Sequence, residues 1–316
     1  APRYEGKTIR FVVGTAPGGG HDIHIRAIAR HIGRFLPGHP QVIVQNMAGG
    51  GGVVAGNYIY KVAKPDGLSI GFFPGGNIIL DLIRHAGVEF DSRKFQWIGT
   101  ASTAVATCFA RQDSWVKTIS DVIGSPKPLV LGSSGRGTTM SMHPRALNAV
   151  LGTNFKVIEG YRGGSAVYAA LERGEVSGVC GLFWSSIKSS RPDWVPKGFI
   201  HVFLQLGLFK HPELGQVPWV MDLVTKPKDR RFLEALFAPL LMARPFFVSP
   251  GVPPESVKVL REAFINTLKD PTFLRLAERM RLEINPSSGK EVQSLVEKVF
   301  ASPPTVLKRI ADILGR

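Results

Sequence analysis

The feature that most constrains this chain is a rhythm, in which a short β-rich run leads into a glycine-rich turn and then into a helical pattern. The runs Ile9 to Val13, Val42 to Val44, Ser69 to Phe73, Leu129 to Ser133 and Phe155 to Ile158 have the length and branched or aromatic content of strands. Strands that alternate with helices specify parallel α/β sheets with helices on their faces. The first helix is predicted over Asp22 to Leu36, where Ile25, Ile28, Ile32 and Phe35 recur at three- and four-residue spacing and Pro37-Gly38 ends it. A second is predicted over Val53 to Ala63 after Gly49-Gly50-Gly51-Gly52, and Pro65-Asp66-Gly67 then turns the chain into the next strand. That completes a βαβαβ unit.

With 316 residues, the chain exceeds the size at which one core stops growing, so two lobes are expected. The run Phe95 to Ala101 is followed by Val105 to Ala110 with no helix between them, which places a crossing into the second lobe near residue 102. Beyond residue 226 the pattern is helical, over Asp229 to Leu241, Pro254 to Leu268, Pro271 to Arg281, Gly289 to Phe300 and Pro303 to Leu314. The strand-like Arg244 to Val248 interrupts these helices and returns the chain to the first lobe. The expected division is residues 1–102 with 227–316, and residues 103–226. No internal repeat is evident.

Several function classes lose their footing in the residues themselves. Apolar runs such as Leu204 to Phe209 stop well short of the roughly 20 residues that a membrane span requires. Ala1-Pro2-Arg3-Tyr4 leads almost directly into a strand, so an export signal was either removed or never there, and a small first residue fits removal. The net charge of +15 draws anions toward any cleft. The basic residues are scattered, as in Lys226-Pro-Lys228-Asp-Arg230-Arg231, without the basic runs of a nucleic-acid binder. Cys108 and Cys180 are too few for a zinc site and too far apart in sequence for a redox pair, and His21 and His24 lack a third ligand in a recognisable array. Two buried thiols and one long-range disulfide both remain open.

The glycine turns carry the chemistry. Gly14-Thr15-Ala16-Pro17-Gly18-Gly19-Gly20-His21-Asp22 joins the first strand to the first helix, so several backbone N–H groups can converge at a helix N-terminus and hold a carboxylate or phosphate. The loop has neither a phosphate-loop nor a dinucleotide pattern, because His21-Asp22 follows its glycines. Asp22 reads as architectural, capping the helix or accepting a bond from the loop. In the second half, Ser133-Ser134-Gly135-Arg136-Gly137-Thr138-Thr139 repeats the arrangement before a helical Ser141 to Leu151, with hydroxyls that can donate to carboxylate oxygens and an Arg136 that can pair with them or lie solvated. Ser134 lacks the second glycine of a nucleophile elbow. Tyr161 with Arg162, the strand end at Phe183 and Trp184, and the wall at Phe73 and Asn77 are further candidates to line a cleft.

Ala16-Pro17-Gly18-Gly19-Gly20-His21-Asp22, then Val42 to Asn46 before Gly49 to Gly52, Pro65-Asp66-Gly67, Tyr161-Arg162-Gly163-Gly164, Gly174-Glu175-Val176, Val217-Pro218 and Pro250-Gly251-Val252-Pro253 follow one another across nearly the whole chain. In that order and separation the chain resembles the Bug, or TctC-type, receptors, which are periplasmic solute-binding proteins of tripartite tricarboxylate transporters. The resemblance implies a two-lobed, type II-like periplasmic-binding-protein fold of the α/β class. Each lobe would be a mainly parallel sheet flanked by helices, with ligand in the cleft. It implies that a ligand carboxylate is held at Thr15 to Asp22, partly through ordered water, with Ser133 to Thr139 contributing.

It further implies a monomer that works with membrane permease subunits, without cofactor, metal or catalytic residues. The periplasmic address favours a bridge between Cys108 and Cys180. Ser177 stands where relatives often have an acidic residue, and Gly181-Leu182-Phe183-Trp184 replaces a more polar stretch. These departures lean the expected ligand toward a mono- or dicarboxylate with an apolar or aromatic body. An enzyme of small carboxylic acids on a related scaffold is the competing reading.

Overall fold

The computed structural model describes residues 4–315. The Ala1-Pro2-Arg3 start, on which the reading of a removed signal rests, lies outside them. The chain begins with β1 (Thr8–Val13), α1 (Gly20–Ile32), β2 (Gln41–Asn46), α2 (Val53–Lys61), β3 (Ser69–Phe72), α3 (Gly76–Leu82) and β4 (Gln96–Thr100). It continues through β5 (Ala106–Arg111), β6 (Leu129–Gly132), α4 (Thr139–Leu151), β7 (Phe155–Ile158), α5 (Gly164–Glu172), β8 (Gly178–Phe183), α6 (Trp184–Ser190) and β9 (Ile200–Leu206). The last part holds α7 (Val220–Leu223), α8 (Pro227–Phe237), β10 (Pro245–Val248), α9 (Pro254–Lys269), α10 (Pro271–Arg279), β11 (Ser287–Ser288), α11 (Gly289–Phe300) and α12 (Pro304–Leu314).

These strands form two sheets flanked by helices, in the orders β11-β4-β10-β3-β1-β2 and β7-β6-β8-β5-β9. The βαβ segments give parallel pairs, β1 with β2 and β3, and β6 with β7 and β8. Antiparallel pairs involve the strands where the chain changes sheet: β10 lies against β3 and β4, and β5 against β8 and β9. Both sheets are therefore mixed. β4 belongs to the first sheet and β5 to the second, and β10 returns to the first.

β1 is covered on both faces, as a central strand between helix layers must be. Ile9, Phe11 and Val13 share a buried cluster with Ile25, Ile28 and Ile32 of α1, while Val12 faces a second cluster with Ala55 and Ile59 of α2. α1 starts at Gly20 because Gly19 is its N-cap and Asp22 turns back to the loop, and it ends in a tighter turn over Gly33–Phe35. Prolines open α8, α9, α10 and α12, where a missing N–H costs nothing. The closing helix α12 packs on both α8 and α4, so the tail of the chain reaches the second sheet's helices. Cys108 and Cys180 are register partners on β5 and β8, both fully buried, with their sulfurs at bonding distance. No helix among the described residues is long and apolar enough to cross a membrane.

Candidate functional site

The loop after β1 is fixed from behind by charge. Asp22, buried in the first turn of α1, accepts hydrogen bonds from the Gly18 N–H at 2.9 Å, from Asn46 Nδ2 at 2.8 Å and from Arg26 Nε at 2.9 Å. Asn46 also donates to the Thr15 carbonyl at 2.8 Å and accepts from Arg26 at 2.7 Å. The Asp22 charge is thus spent on Arg26 and the loop, which leaves the dipole at the start of α1 available to an anion. The loop after β6 is held more lightly. Ser133 Oγ accepts from the Gly135 N–H at 3.2 Å, and Thr138 Oγ1 donates to the Gly135 carbonyl at 2.7 Å.

Each loop packs closely on the facing side, the first on the start of α6 and the second on the glycine turn after β2, and glycine makes this approach feasible. A Cβ on Gly20 would lie 2.7 Å from Ser186 Cα, and one on Gly51 would lie 2.8 Å from the Gly137 nitrogen, where φ of +68° also favours glycine. Ser165 Oγ donates to the Pro17 carbonyl at 2.8 Å, and Asn77 Nδ2 lies 2.9 Å from the Gly51 carbonyl and 3.4 Å from that of Gly137.

Between the loops is a largely enclosed cavity that leaves about 40 Å³ to the centres of water-sized spheres. Thr15, Gly19, Gly20 and His21 line it from the first loop, Ser134, Thr138 and Thr139 from the second, and Phe183 from the end of β8. The residues that begin α1, α4 and α5, namely Gly20, Thr139 and Gly164, are all in its wall. First-turn N–H groups have no partner within their own helix, so three positive helix ends face one small space. No Asp, Glu, Lys or Arg lines it.

Three lining side chains carry buried polar atoms that make no hydrogen bond: Thr15 Oγ1, His21 Nδ1 and the Tyr168 hydroxyl. Buried polar atoms are almost always satisfied, so a cluster of unsatisfied ones around a cavity marks the place of a polar occupant. The His21 ring sits against Phe72 and Phe183, with centroids at 5.0 and 5.3 Å. Burial and the nearby Arg244 guanidinium push its pKa down to about 3, so the ring is neutral at physiological pH. Burial raises the Tyr168 hydroxyl above its ordinary value, which keeps it a donor. The arrangement can hold one compact anion by N–H groups and hydroxyls, with Leu182, Met140 and Phe183 for its apolar part.

Other residues singled out in the sequence lie elsewhere. Ala16, Gly135, Arg136, Tyr161 and Arg162 line a wider outer basin, where Arg136 stands 3.6 Å from Glu159. Pro17, Gly18 and Gly137 are at the contact between loops, and Asn77 is buried there as a tie. Ser133 bonds within its own loop, and Asp22 braces the first loop from behind. Phe73 is packed among Phe90, Phe95, Trp97 and Phe247. Trp184 is not in the cavity wall, and its Nε1 donates to Glu213 at 2.6 Å.

Pro74, Gly164 and Leu182, in the wall, fall within the stretches Phe73 to Asn77, Tyr161 to Ser165 and Cys180 to Ser185 that the sequence singled out, whereas sequence reasoning missed Met140, Tyr168 and Ser186. It also missed Arg244 behind that wall, although Arg244 is the one charged residue between Ala238 and Val248, and a lone charge in so apolar a run is a readable signal.

Comparison with known proteins bears on the fold and the family. The chain is 26% identical to a UPF0065 protein of Pseudomonas sp. (strain P51) over 71% of its own length and 65% of that protein's. It is 25% identical to a UPF0065 protein of Cupriavidus necator over 98% and 89% of the two lengths. Thus the chain spans just under two thirds of the first of these relatives.

Among solved structures it superposes on the periplasmic binding protein BugD with a TM-score of 0.79 at 20% identity, covering 99% of each chain. It matches an R. palustris protein solved with adipate at 0.76 and 18% identity, over 98% and 97% of the chains. MatC from Rhodopseudomonas palustris, with bound malate, matches at 0.73 and 17%, over 97% and 98%. These likenesses establish a two-lobed binding-protein fold. The sequence pattern of the tripartite tricarboxylate transporter family receptors, TctC, matches residues 25–311, so the chain belongs to that receptor family.

Proposed function

We propose that this protein is a periplasmic receptor that closes around a small organic acid with an apolar body and presents the closed form to the permease subunits of a tripartite transporter. The observation that carries this reading is the convergence of three helix N-termini and three unpartnered polar side-chain atoms on one uncharged cavity between two glycine-rich loops. The malate and adipate in two structural neighbours support a carboxylate as the class of ligand. The close approach of Gly20 to Ser186 and of Gly51 to Gly137 supports a closed state.

In this reading the lobes are residues 1–102 with 227–316, and residues 103–226. The open cleft admits the acid, the first loop takes its carboxylate, and closure brings down the second loop. Micromolar affinity corresponds to about 8 kcal/mol, and a few charge-assisted hydrogen bonds at about 1.5 to 3 kcal/mol each, with water excluded, supply it. The receptor acts as a monomer, and the Cys108 to Cys180 bridge suits an oxidising compartment. Titration of the unreduced, denatured chain should find no free thiol.

The deciding experiment is a thermal-shift screen of aliphatic and aromatic carboxylates beside their amides. A rise in Tm with acids and none with amides supports the receptor, and no response to any acid removes the proposal. Turnover of a bound acid would favour the enzyme reading instead.

A further inference from the structure

One full positive charge is buried behind the wall of this cavity, and no carboxylate meets it. Arg244, immediately before β10, is completely buried. One terminal nitrogen donates to Ser102 Oγ at 2.7 Å, and the other lies 3.1 Å from Ser185 Oγ and 3.3 Å from Ser186 Oγ. Its backbone N–H donates to Thr100 Oγ1 at 3.2 Å, and its guanidinium stands 5.6 Å from the centre of the Phe183 ring. Its Nε makes no hydrogen bond.

Among the described residues no Asp or Glu forms an ion pair with Arg244. Glu283, which attracts it from a distance, is held by Lys188 at 2.9 Å and His211 at 3.1 Å. Burial lowers the guanidinium pKa to about 10, so it remains charged at neutral pH. An uncompensated charge in a fold interior is costly, and an anion that arrives beside it relieves that cost.

Arg244 addresses the cavity through two members of its wall, Phe183 and Ser186. Because the Ser186 oxygen accepts from a cation, its own proton is the group left to offer, which makes it a strengthened donor. Ser186 packs directly on Gly20, so this hydroxyl and the first N–H groups of α1 can address the same carboxylate.

Among the described residues no second cation lines this cavity. The His21 ring is neutral, Arg26 is paired with Asp22, Lys188 with Glu213 and Glu283, and Arg136, near Glu159, and Arg162 line the outer basin and not this cavity. The space itself is short, with room in this closed arrangement for roughly three water molecules.

We infer that Arg244 is the specificity-determining counter-charge of this site and limits it to monocarboxylates, because a second carboxylate in the same cavity would be buried without a counter-ion. The inference rests on the carboxylate-receptor reading and narrows it. Arg244 acts through Ser186 and is a positioning residue, not one that touches the ligand.

The test is calorimetric titration of the full chain with butyrate, its amide and the dicarboxylate succinate, for the wild type, Arg244→Met and Ser186→Ala. The wild type should bind butyrate at least about ten-fold more tightly than either succinate or the amide. Arg244→Met should weaken butyrate by about thirty-fold or more and bring the acid-to-amide ratio near one. Ser186→Ala should weaken butyrate by about three- to ten-fold. Succinate binding as tightly as butyrate, or an unchanged acid-to-amide ratio in Arg244→Met, overturns the inference.

Should Arg244→Met fail to fold, the ratio in Ser186→Ala decides, and an unchanged ratio there overturns it equally. Binding of dicarboxylates in preference sinks this inference alone, whereas binding of no carboxylate sinks the receptor reading with it.

Discussion

The loop that leaves β1 and the loop that leaves β6 both run from a strand through glycines into a helix of 13 residues, yet they are stiffened by different forces. Asp22, Arg26 and Asn46 lock the first from within its own sheet and helix layer, through five hydrogen bonds of which the Asp22 to Arg26 bond is also an ion pair. Ser133 and Thr138 fold the second onto itself by neutral bonds, and its glycines rest against Gly50 and Gly51 of the opposite side. Charge-assisted bonds are worth about twice neutral ones, so the first loop is preformed and the second gains its order from contact. A binding site built this way has one fixed jaw and one compliant jaw.

Acid tests both jaws at once and should give the largest effect. His21 in the first loop is largely buried and His143 on α4 behind the second fully so, and burial pushes both pKa values to about 3 from the ordinary 6.5, with Arg244 adding to the shift of His21. Above about pH 6.5 neither folded nor unfolded chain protonates these rings, so their stabilising effect is complete. Below it the unfolded chain takes up protons that the fold refuses, and stability is lost as pH falls toward 3.

The expected loss from these two is about 1.4 kcal/mol per pH unit each, on the order of 4 kcal/mol between pH 7 and pH 5, and fully buried His24, whose pKa burial also lowers, adds to it in the same direction. Denaturant melts at the two pH values measure it. His21→Asn and His143→Asn should each remove about 2 kcal/mol of it. A flat profile means that the rings are reached by water in solution.

Gly20→Ala probes the contact between jaws. Its methyl would lie 2.7 Å from Ser186 Cα, so the lobes cannot close as they do here. Ligand affinity should fall by about a hundred-fold, roughly 2.7 kcal/mol, while the ligand-free Tm changes little. Retained affinity would show that closure does not bring these residues together.

Asp22→Ala and Thr138→Ala then compare the jaws directly. The first removes the acceptor for three donors and should cost about 2 to 3 kcal/mol of stability, with affinity falling in parallel. The second removes one neutral hydrogen bond and should cost about 1 kcal/mol. Equal costs, or the reverse order in urea unfolding, would erase the distinction between a fixed and a compliant jaw.

Much of this layout was legible before the structure. Strand and helix periods showed in Ile9 to Val13 and in Ile25, Ile28 and Ile32, because each side chain's burial is set locally by a fixed repeat. The glycine loops showed because only glycine allows such turns and such close approach.

What stayed hidden depends on contacts between distant segments. Tyr168 and Ser186 reach the cavity only because α5 and α6 start at or beside its wall, and no local pattern distinguishes them from core residues. Trp184 was expected in the cleft for its aromatic body, but the helix that begins at that residue carries it toward Glu213. Arg244 read as the start of a returning strand, and its isolation from carboxylates is a tertiary fact.

The central claim is that an anion is held where the helix ends converge between the loops. A crystal structure of the protein with its tightest-binding carboxylate tests it directly. The account predicts carboxylate oxygens within hydrogen-bond distance of the N–H groups at the start of α1 and of the Ser186 hydroxyl, with the tail against Leu182 and Phe183. A ligand in the outer basin beside Arg136 and Arg162, with the inner cavity unaltered, would contradict it.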